Sequence, residues 1–198
     1  MKKSIIVIIG LVVLIGIIFA WYQSVRNSLV QEEENVKKAW SNVESQYQRR
    51  SDLINNLVAT VKGYAEHEKG TFVDVTKARV PQATQMKIDP ANLNEETLAQ
   101  FQAAQNELQK DIKNYISVTV EAYPNLKANE NFINLQTDLA GTENRIATER
   151  MRFTEAAQQY NTMVRQFPNN IVASISGFSV KPYFKSDPGA EKAPEVKF

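Results

Sequence analysis

The 198-residue sequence contains no cysteine and only one histidine, His67. The absence of cysteine excludes disulfide bonds, thiolate zinc sites, thiol catalysis and a lipid-modified cysteine. Seven glycines and seven prolines are few for this length, which favours long uninterrupted helices. A formal net charge of +1 provides no overall basic field, so we expect no binding to nucleic acid.

The single histidine also limits the metal and catalytic chemistry that the chain can support. Carboxylate-bridged metal sites in bundles use Glu-x-x-His units on two helices, and no Glu or Asp lies three residues before His67. The sequence has neither a G-x-S-x-G turn for a nucleophilic serine nor a G-x-x-x-x-G-K-[ST] loop for phosphate. We therefore expect no enzymatic activity, no metal and no cofactor, and interpret His67 as a helix-end residue.

A long apolar run lies near the start of the sequence. After Met1-Lys2-Lys3, residues 4–20 carry no charge, and Trp21-Tyr22 close the run with an aromatic pair typical of a membrane interface. At about 1.5 Å per residue, residues 4–22 just cross a hydrocarbon layer of about 30 Å. We predict a membrane anchor within residues 1–26 that contacts the lipid bilayer through residues 4–22.

A cleaved signal peptide is the alternative interpretation of this run. Cleavage requires small residues in an A-x-A pattern, and Ile18-Phe19-Ala20 has a bulky isoleucine at the first position. We therefore favour a retained, single-pass anchor. Basic residues lie on both sides of it, with Arg26, Lys37 and Lys38 on the C-terminal side. The two lysines nearest the span favour a cytoplasmic N-terminus and a bundle on the non-cytoplasmic side.

Beyond the anchor, apolar residues recur in alternating steps of four and three, the spacing of helices with one buried face. The first segment, about residues 27–69, has on its stripe Val36, Trp40, Val43, Tyr47, Arg50, Ile54, Leu57, Val61 and Tyr64. The second, from Asp89-Pro90 or Asn94 to Tyr123-Pro124, has Leu98, Phe101, Gln105, Leu108, Ile112, Tyr115 and Thr119. The third, from Asn129 or Asn131 to Phe167, has Phe132, Leu135, Leu139, Thr142, Ile146, Glu149, Phe153, Ala156, Tyr160, Met163 and Phe167.

These stripes predict an all-α fold in which a transmembrane helix precedes an antiparallel up-and-down helical bundle. Three helices are long, and a shorter one is expected at residues 71–78. The two longest have about 40 residues each and are therefore about 60 Å long, so the bundle should be a rod. The first of them can be continuous with the anchor.

We expect the bundle domain to occupy residues 27–178 and the last segment, residues 179–198, to form an extended, mobile tail. Gly and Pro residues argue against regular structure there. In the alternative arrangement, Val180, Tyr183 and Phe184 lie along the bundle.

Two charged residues, Arg50 and Glu149, occupy stripe positions, where an isolated charge is costly and a paired one is tolerated. We predict that Arg50, with or without Arg49, meets Glu149 or Glu143 across the bundle. Such a polar layer can fix the register of the helices, and this interpretation is favoured over a pocket for a small ligand.

Ordered motifs occur along the predicted helices. The first helix carries Trp40-x-x-Val43-x-x-x-Tyr47-Gln48-Arg49-Arg50-x-Asp52-Leu53-Ile54, Asn56-Leu57-Val58 and Val61-Lys62-Gly63-Tyr64-Ala65-x-His67-Glu68. The third helix and its approach carry Tyr123-Pro124-x-Leu126-Lys127-Ala128-Asn129, Asn131-Phe132, Leu135-Gln136, Thr142-Glu143-Asn144-Arg145-Ile146-Ala147, Tyr160-Asn161, Phe167-Pro168 and Gly177-Phe178. In these motifs the sequence resembles the LemA family of bacterial single-pass membrane proteins. The resemblance implies a single N-terminal span and an antiparallel bundle, without an established biochemical activity.

The sequence departs from this family in two places. Asn55 stands where family members usually have proline, which should straighten the first helix here. Residues 151–155 lack the Tyr- and Asn-rich run of the family.

We interpret the chain as a membrane-anchored scaffold or protein-interaction module at the bacterial cell envelope, in the inner membrane. Its expected partners are further copies of itself or other membrane or envelope proteins. The alternative is a small-ligand binding module that uses Arg50, Glu143 and Glu149 in a pocket between helices. Residues without an evident core role are the candidate interaction surface, namely Arg49, Asp52, Asn56, Lys62, Asn144 and Arg145.

Overall fold

The computed structural model of the chain describes residues 2–67 and 88–185. Its α-helices are α1 (Lys2–His67), α2 (Glu95–Ala122), α3 (Glu130–Arg165) and α4 (Asn169–Ser176), with 3₁₀ turns at Pro90–Asn92 and Pro124–Ala128. No strand occurs in these two described ranges. The all-α fold class, with an N-terminal apolar helix and a helical bundle, is confirmed. The short helix predicted at residues 71–78 lies outside the described residues.

The anchor and the first helix of the bundle are one helix. α1 has 66 residues, and at about 1.5 Å per residue it is about 99 Å long. The helix passes without interruption through Asn55. Residues 4–20 are exposed on all sides, and an 18-residue window of α1 has a mean hydropathy of 3.0 with none of it buried. From Leu29 onwards, α1 buries one face against the other helices.

α1 and α3 are the most closely packed pair of helices, and they run antiparallel. The rings of Trp40 and Phe153 lie 5.5 Å apart between centroids, and Arg50 Nη1 lies 3.0 Å from Glu143 Oε1. Both helices advance by ten residues between these two contacts, so the antiparallel register is constant between them.

α2 runs in the same direction as α1. Near its start, the Phe101 ring lies 5.5 Å from Trp40, and just beyond its end the Tyr123 ring lies 6.2 Å from Tyr64. The turn at Pro124–Ala128 then reverses the chain into α3. α1 therefore ends, and α2 begins, at opposite ends of the bundle.

Side-chain caps begin the second and third helices as their sequences predict. The Asn94 side chain accepts a hydrogen bond from the Thr97 amide at 2.9 Å, and the Asn94 amide donates to Thr97 Oγ1 at 3.0 Å, which completes a reciprocal capping box. Asn129, rather than Asn131, caps α3 by accepting from the Phe132 amide at 3.1 Å. The predicted end of this helix is wrong by two residues, because α3 ends at Arg165.

The inclusion of Phe167 in the buried stripe is also wrong. Phe167 is 76% exposed, because the backbone leaves the helical conformation at Gln166, before this residue. The last buried positions of α3 are instead Ala157, Tyr160, Asn161 and Val164.

The core consists of two hydrophobic clusters that follow one another along the rod. The membrane-proximal cluster contains Leu29 and Val43 of α1, Phe101 of α2, Phe153 of α3 and Val172 of α4. The distal cluster contains Ile54, Leu57 and Val61 of α1, together with Ile112, Tyr115, Tyr123, Leu126, Phe132 and Leu139.

Gly177 ends α4 and turns the chain back along the bundle. Its φ of 78° lies in the left-handed region, which glycine adopts without steric cost. The following residues, 178–185, form an extended segment that we call the strap. Of the two arrangements considered for the tail, packing along the bundle applies to the strap, because Phe184 contacts Trp40 and Phe153 with centroid distances of 6.2 and 5.5 Å.

Candidate functional site

A polar layer separates the two hydrophobic clusters. It consists of Arg50 from α1, Gln105 from α2, and Thr142 and Glu143 from α3. Arg50 is 2% exposed; its Nη1 donates to Glu143 Oε1 at 3.0 Å and its Nη2 donates to Gln105 Oε1. All three long helices therefore meet in one hydrogen-bonded group.

The surroundings of Arg50 explain why a charge is tolerated in the core. The guanidinium carbon also lies 4.9 Å from the centroid of the Tyr47 ring, within the range of a cation–π interaction. Glu143 remains 32% exposed, so its carboxylate supplies the counter-charge while keeping part of its hydration. Because the fixed fork of an Arg side chain matches its partners in one alignment only, this layer favours a single register.

Glu149, the other predicted partner of Arg50, is directed elsewhere. It accepts a hydrogen bond from Arg152 Nη1 at 2.6 Å, one turn along the same helix. In the antiparallel register of α1 and α3, Glu149 lies near the level of Glu44 rather than Arg50. Periodicity places both carboxylates on suitable parts of α3 but does not fix this register.

Four further candidate residues lie on the exposed surface of α1, namely Arg49, Asp52, Asn56 and Lys62. The first three have i, i+3, i+7 spacing and share one face of the helix. Asp52 accepts a hydrogen bond from Gln48 at 2.9 Å along the helix. Because Arg49 is exposed, it is not part of the polar layer.

The remaining candidates, Asn144 and Arg145, are exposed on α3 beside the polar layer. The Asn144 carbonyl accepts a hydrogen bond from Thr148 within the helix, at 3.0 Å. Whether these exposed residues form one interaction surface with the α1 face stays a prediction.

Sequence reasoning missed Gln105 as a partner of Arg50. The signal was present, because Gln105 is a polar residue on an otherwise apolar stripe. The Arg50 guanidinium has more donors than its contact with Glu143 uses, and the Gln105 side-chain oxygen accepts from one of them. Polar residues on three separate stripes therefore identify the layer better than charge alone.

A second polar contact, also missed, fastens the strap to the bundle. Buried Asn161 donates from Nδ2 to the Lys181 carbonyl at 2.8 Å and accepts from the Lys181 amide at 2.7 Å. The Lys181 ammonium lies 2.8 Å from Glu33 Oε1 on α1. Further along, the Lys185 carbonyl accepts from Gln102 at 2.7 Å. The strap thus bonds to all three long helices.

The described residues offer no evident centre for metal chemistry. No group of three His, Asp or Glu side chains within residues 2–67 and 88–185 is placed to hold a metal ion. An open groove of about 540 Å³ lies between α2 and α3, lined by Ile116, Ser117, Val120, Glu121, Lys127, Ile133, Gln136 and Thr137. It lies in the distal half of the bundle and does not include Arg50, Glu143 or Glu149.

The profile of the LemA family matches residues 39–198, which includes the helices that form the polar layer. The chain belongs to the LemA family. The match begins after the apolar part of α1, so the bundle carries the family's shared features. This membership and the apolar N-terminal helix together indicate a membrane-associated protein.

Curated relatives of this LemA-family chain include two magnetosome proteins, MamQ 1 and MamQ 2, of Paramagnetospirillum magneticum. Each is 28% identical over 181 residues, covering 83% of the chain and 66% of the relative. The protein LemA of Metamycoplasma hominis is 20% identical over 166 residues, covering 84% of the chain and 71% of that protein. The chain thus spans slightly less than two thirds of the length of the MamQ relatives.

Loss of the Asn161 side chain should release the strap from the LemA-family bundle. We expect Asn161→Ala to lower the free energy of unfolding by about 1–3 kcal/mol, because the Lys181 amide and carbonyl lose their partner in a partly buried place. Hydrogen exchange of residues 178–185 should accelerate while that of α1 stays slow. Asn144→Ala, at an exposed site on the same helix, is the control. If the amides of residues 178–185 exchanged at the same rate in Asn161→Ala and Asn144→Ala, Asn161 would not fasten the strap.

Tyr160, next to Asn161, is fully buried, and its hydroxyl has no hydrogen-bond partner among the residues described. Burial, with a smaller contribution from the nearby Glu33 carboxylate, raises the pKa of Tyr160 from 10.0 to about 12. The unfolded chain would ionise this phenol near pH 10, while the folded chain keeps it protonated. The stability linked to Tyr160 is therefore present below pH 10 and is lost as the pH rises towards 12.

We expect Tyr160→Phe to weaken the fall in stability between pH 10 and 12. The same variant should not be less stable near pH 7, because it removes a buried hydroxyl without a described partner. Urea unfolding at a series of pH values measures both effects. An unchanged alkaline slope in the variant would show that Tyr160 ionises normally in the folded protein.

Proposed function

We propose that this LemA-family protein is a membrane-anchored scaffold that holds a protein-interaction surface at a defined height above the bilayer. The continuity of α1 from the apolar span into the bundle is the observation that carries the proposal. Between Tyr22 and His67, α1 extends about 68 Å at about 1.5 Å per residue. A helix shared by anchor and bundle transmits position and orientation, which a flexible linker does not.

The position of the polar candidates supports an interaction role. Arg49, Asp52 and Asn56 are exposed on one face of α1, and Asn144 is exposed at a similar level on α3. These side chains are not needed to fill the core. The names of the curated relatives refer to a cell structure, the magnetosome, or to the family itself, and none of them names a reaction. We accordingly propose a non-enzymatic role.

The ligand-binding alternative is less well supported. Arg50 is 2% exposed and already engaged by Glu143, Gln105 and the Tyr47 ring. A ligand would have to displace these partners and separate the helices. Glu149, the other acidic residue of the predicted ligand pocket, is paired with Arg152.

Site-specific photocrosslinking in native membranes tests the scaffold proposal. A photoreactive amino acid is placed in turn at Arg49, Asn56 and Asn144, with Lys113 on the exposed surface of α2 as the control position. We expect discrete crosslinked proteins, either a second copy or another membrane or envelope protein, from at least one of the three test positions. Crosslinks no stronger than those from Lys113 at all three would overturn the proposed surface.

We further propose that the protein lies in the bacterial inner membrane with its bundle on the non-cytoplasmic side, because lysines precede the span directly. The sequence lacks cysteine, so a single cysteine can report its own exposure. Met151→Cys, at a position that is 56% exposed, should react with a membrane-impermeant maleimide in intact protoplasts. A cysteine at Lys3 should react only after lysis. The opposite pattern would reverse the orientation.

A further inference from the structure

Large apolar side chains are exposed at the membrane-proximal end of the bundle. Phe167, Ile171 and Ile175 are 76%, 49% and 71% exposed and are spaced by four residues. On the other side of α4, Val172 and Ala173 are buried against the membrane-proximal cluster. The short helix thus packs one face on the bundle and presents a second apolar face outward.

A hydrogen bond places α4 at the height of the membrane interface. Tyr22, the last residue of the predicted span, has its hydroxyl 3.0 Å from Ser176 Oγ at the end of α4. Aromatic side chains on a helix lean towards its N-terminus, which for α1 is the direction of the span. Ser176 therefore lies level with Tyr22 or on its bilayer side.

The charge pattern of this segment also fits a lipid surface. Residues 166–180 contain no charged residue, and no Asp or Glu occurs from residue 156 to residue 186. Of the two charged residues that flank the uncharged stretch, Arg165 is basic and exposed, whereas Lys181 is paired with Glu33. Anionic lipid headgroups attract basic side chains, while acidic ones at this height would be repelled.

We propose that α4 and Phe167 form a second, interfacial membrane contact beside the span, with Phe167, Ile171 and Ile175 in the boundary between headgroups and acyl chains. A second copy of the chain is a less suitable occupant. A stable protein interface buries about 800 Å² of surface on each partner, and three side chains on and beside an eight-residue helix expose much less than this. The bilayer requires no such area and is already adjacent. Two contacts, the span and α4, then set the tilt and rotation of the bundle.

Spin labels on the full chain in lipid nanodiscs test this contact. Single cysteines replace Ile171 or Ile175, with Phe19→Cys in the span as the lipid reference. Ile133→Cys, at a position that is 47% exposed in the distal half, is the water reference. Each label is measured for collisions with oxygen, which concentrates in lipid, and with a water-soluble nickel complex. All four sites are exposed, so the labels should leave the fold intact; circular dichroism checks this.

We expect the oxygen-to-nickel ratio at Ile171 and Ile175 to approach that at Phe19 and to exceed that at Ile133 clearly. Ratios equal to that at Ile133 would overturn the proposal. Nanodiscs that hold one copy distinguish lipid from a second copy: a high ratio that disappears at one copy per disc would also overturn it. This outcome is independent of the crosslinking result, so the interfacial contact and the scaffold role can fail separately.

Discussion

Removal of the Glu143 carboxylate should destabilise the bundle more than removal of its partner Arg50. Glu143→Leu leaves a guanidinium that is 2% exposed without its counter-charge. We expect a loss near the lower end of the about 3–5 kcal/mol typical of breaking a buried ion pair, since Glu143 itself is partly hydrated. In Arg50→Leu, Glu143 can be hydrated, and the main cost is that the Gln105 side chain loses its partner. We therefore expect this variant to lose about 1–3 kcal/mol of the free energy of unfolding.

The double variant Arg50→Leu/Glu143→Leu should lose less than the sum of the two single losses, because no unpaired charge remains. Denaturant unfolding of the detergent-solubilised full chain, followed by circular dichroism, measures the cycle. Arg49→Leu is the matched control, since it removes the same group from the neighbouring exposed position. If Arg50→Leu and Arg49→Leu had equal effects, or if the two single losses were additive, the polar layer would not couple the helices.

Truncation of Trp40 should have the largest effect of any single substitution in the membrane-proximal cluster. The Trp40 ring is fully buried and packs against Phe101, Phe153 and Phe184, which come from α2, α3 and the strap. We expect Trp40→Ala to lower the free energy of unfolding by about 3–5 kcal/mol through lost burial and the cavity that remains. Amide exchange in the strap should accelerate as well, because Phe184 loses a stacking partner.

Trp21→Ala is the natural control, as Trp21 is the other tryptophan of the chain and is 37% exposed beside the span. Its loss should leave the unfolding of the bundle nearly unchanged in a bilayer. A Trp40→Ala protein that unfolds like Trp21→Ala, or whose strap exchanges at the normal rate, would contradict the central role of this ring.

Helical periodicity predicted much of the fold because each long helix buries a single stripe. Trp40, Ile54 and Leu57 are fully buried, as their spacing indicates. Local cap chemistry similarly gave two start signals for α2, Asp89-Pro90 and Asn94, and Asn94 is the residue that caps the helix. Such features depend on residues close in sequence, and for this reason they are accessible without coordinates.

The features that sequence reasoning missed depend on how separate helices are aligned. Periodicity permitted both Glu143 and Glu149 as partners of Arg50, and only the register of α1 against α3 distinguishes them. Packing of Phe184 along the bundle was one of the two arrangements considered, but its fastening by the buried Asn161 amide was not, because a single amide belongs to no repeating pattern. Phe167 fitted the stripe but lies beyond the last helical turn.

The distance across the junction between span and bundle tests the continuity of α1 most directly. Spin labels on the double variant Ile15→Cys/Ser45→Cys, both at exposed positions on α1, can be measured by pulsed electron resonance in nanodiscs. An unbroken helix predicts one narrow distribution near 45 Å, at about 1.5 Å per residue. A broad distribution with shorter distances would mean that the span and the bundle move independently, which would contradict a scaffold that holds its surface at a fixed height.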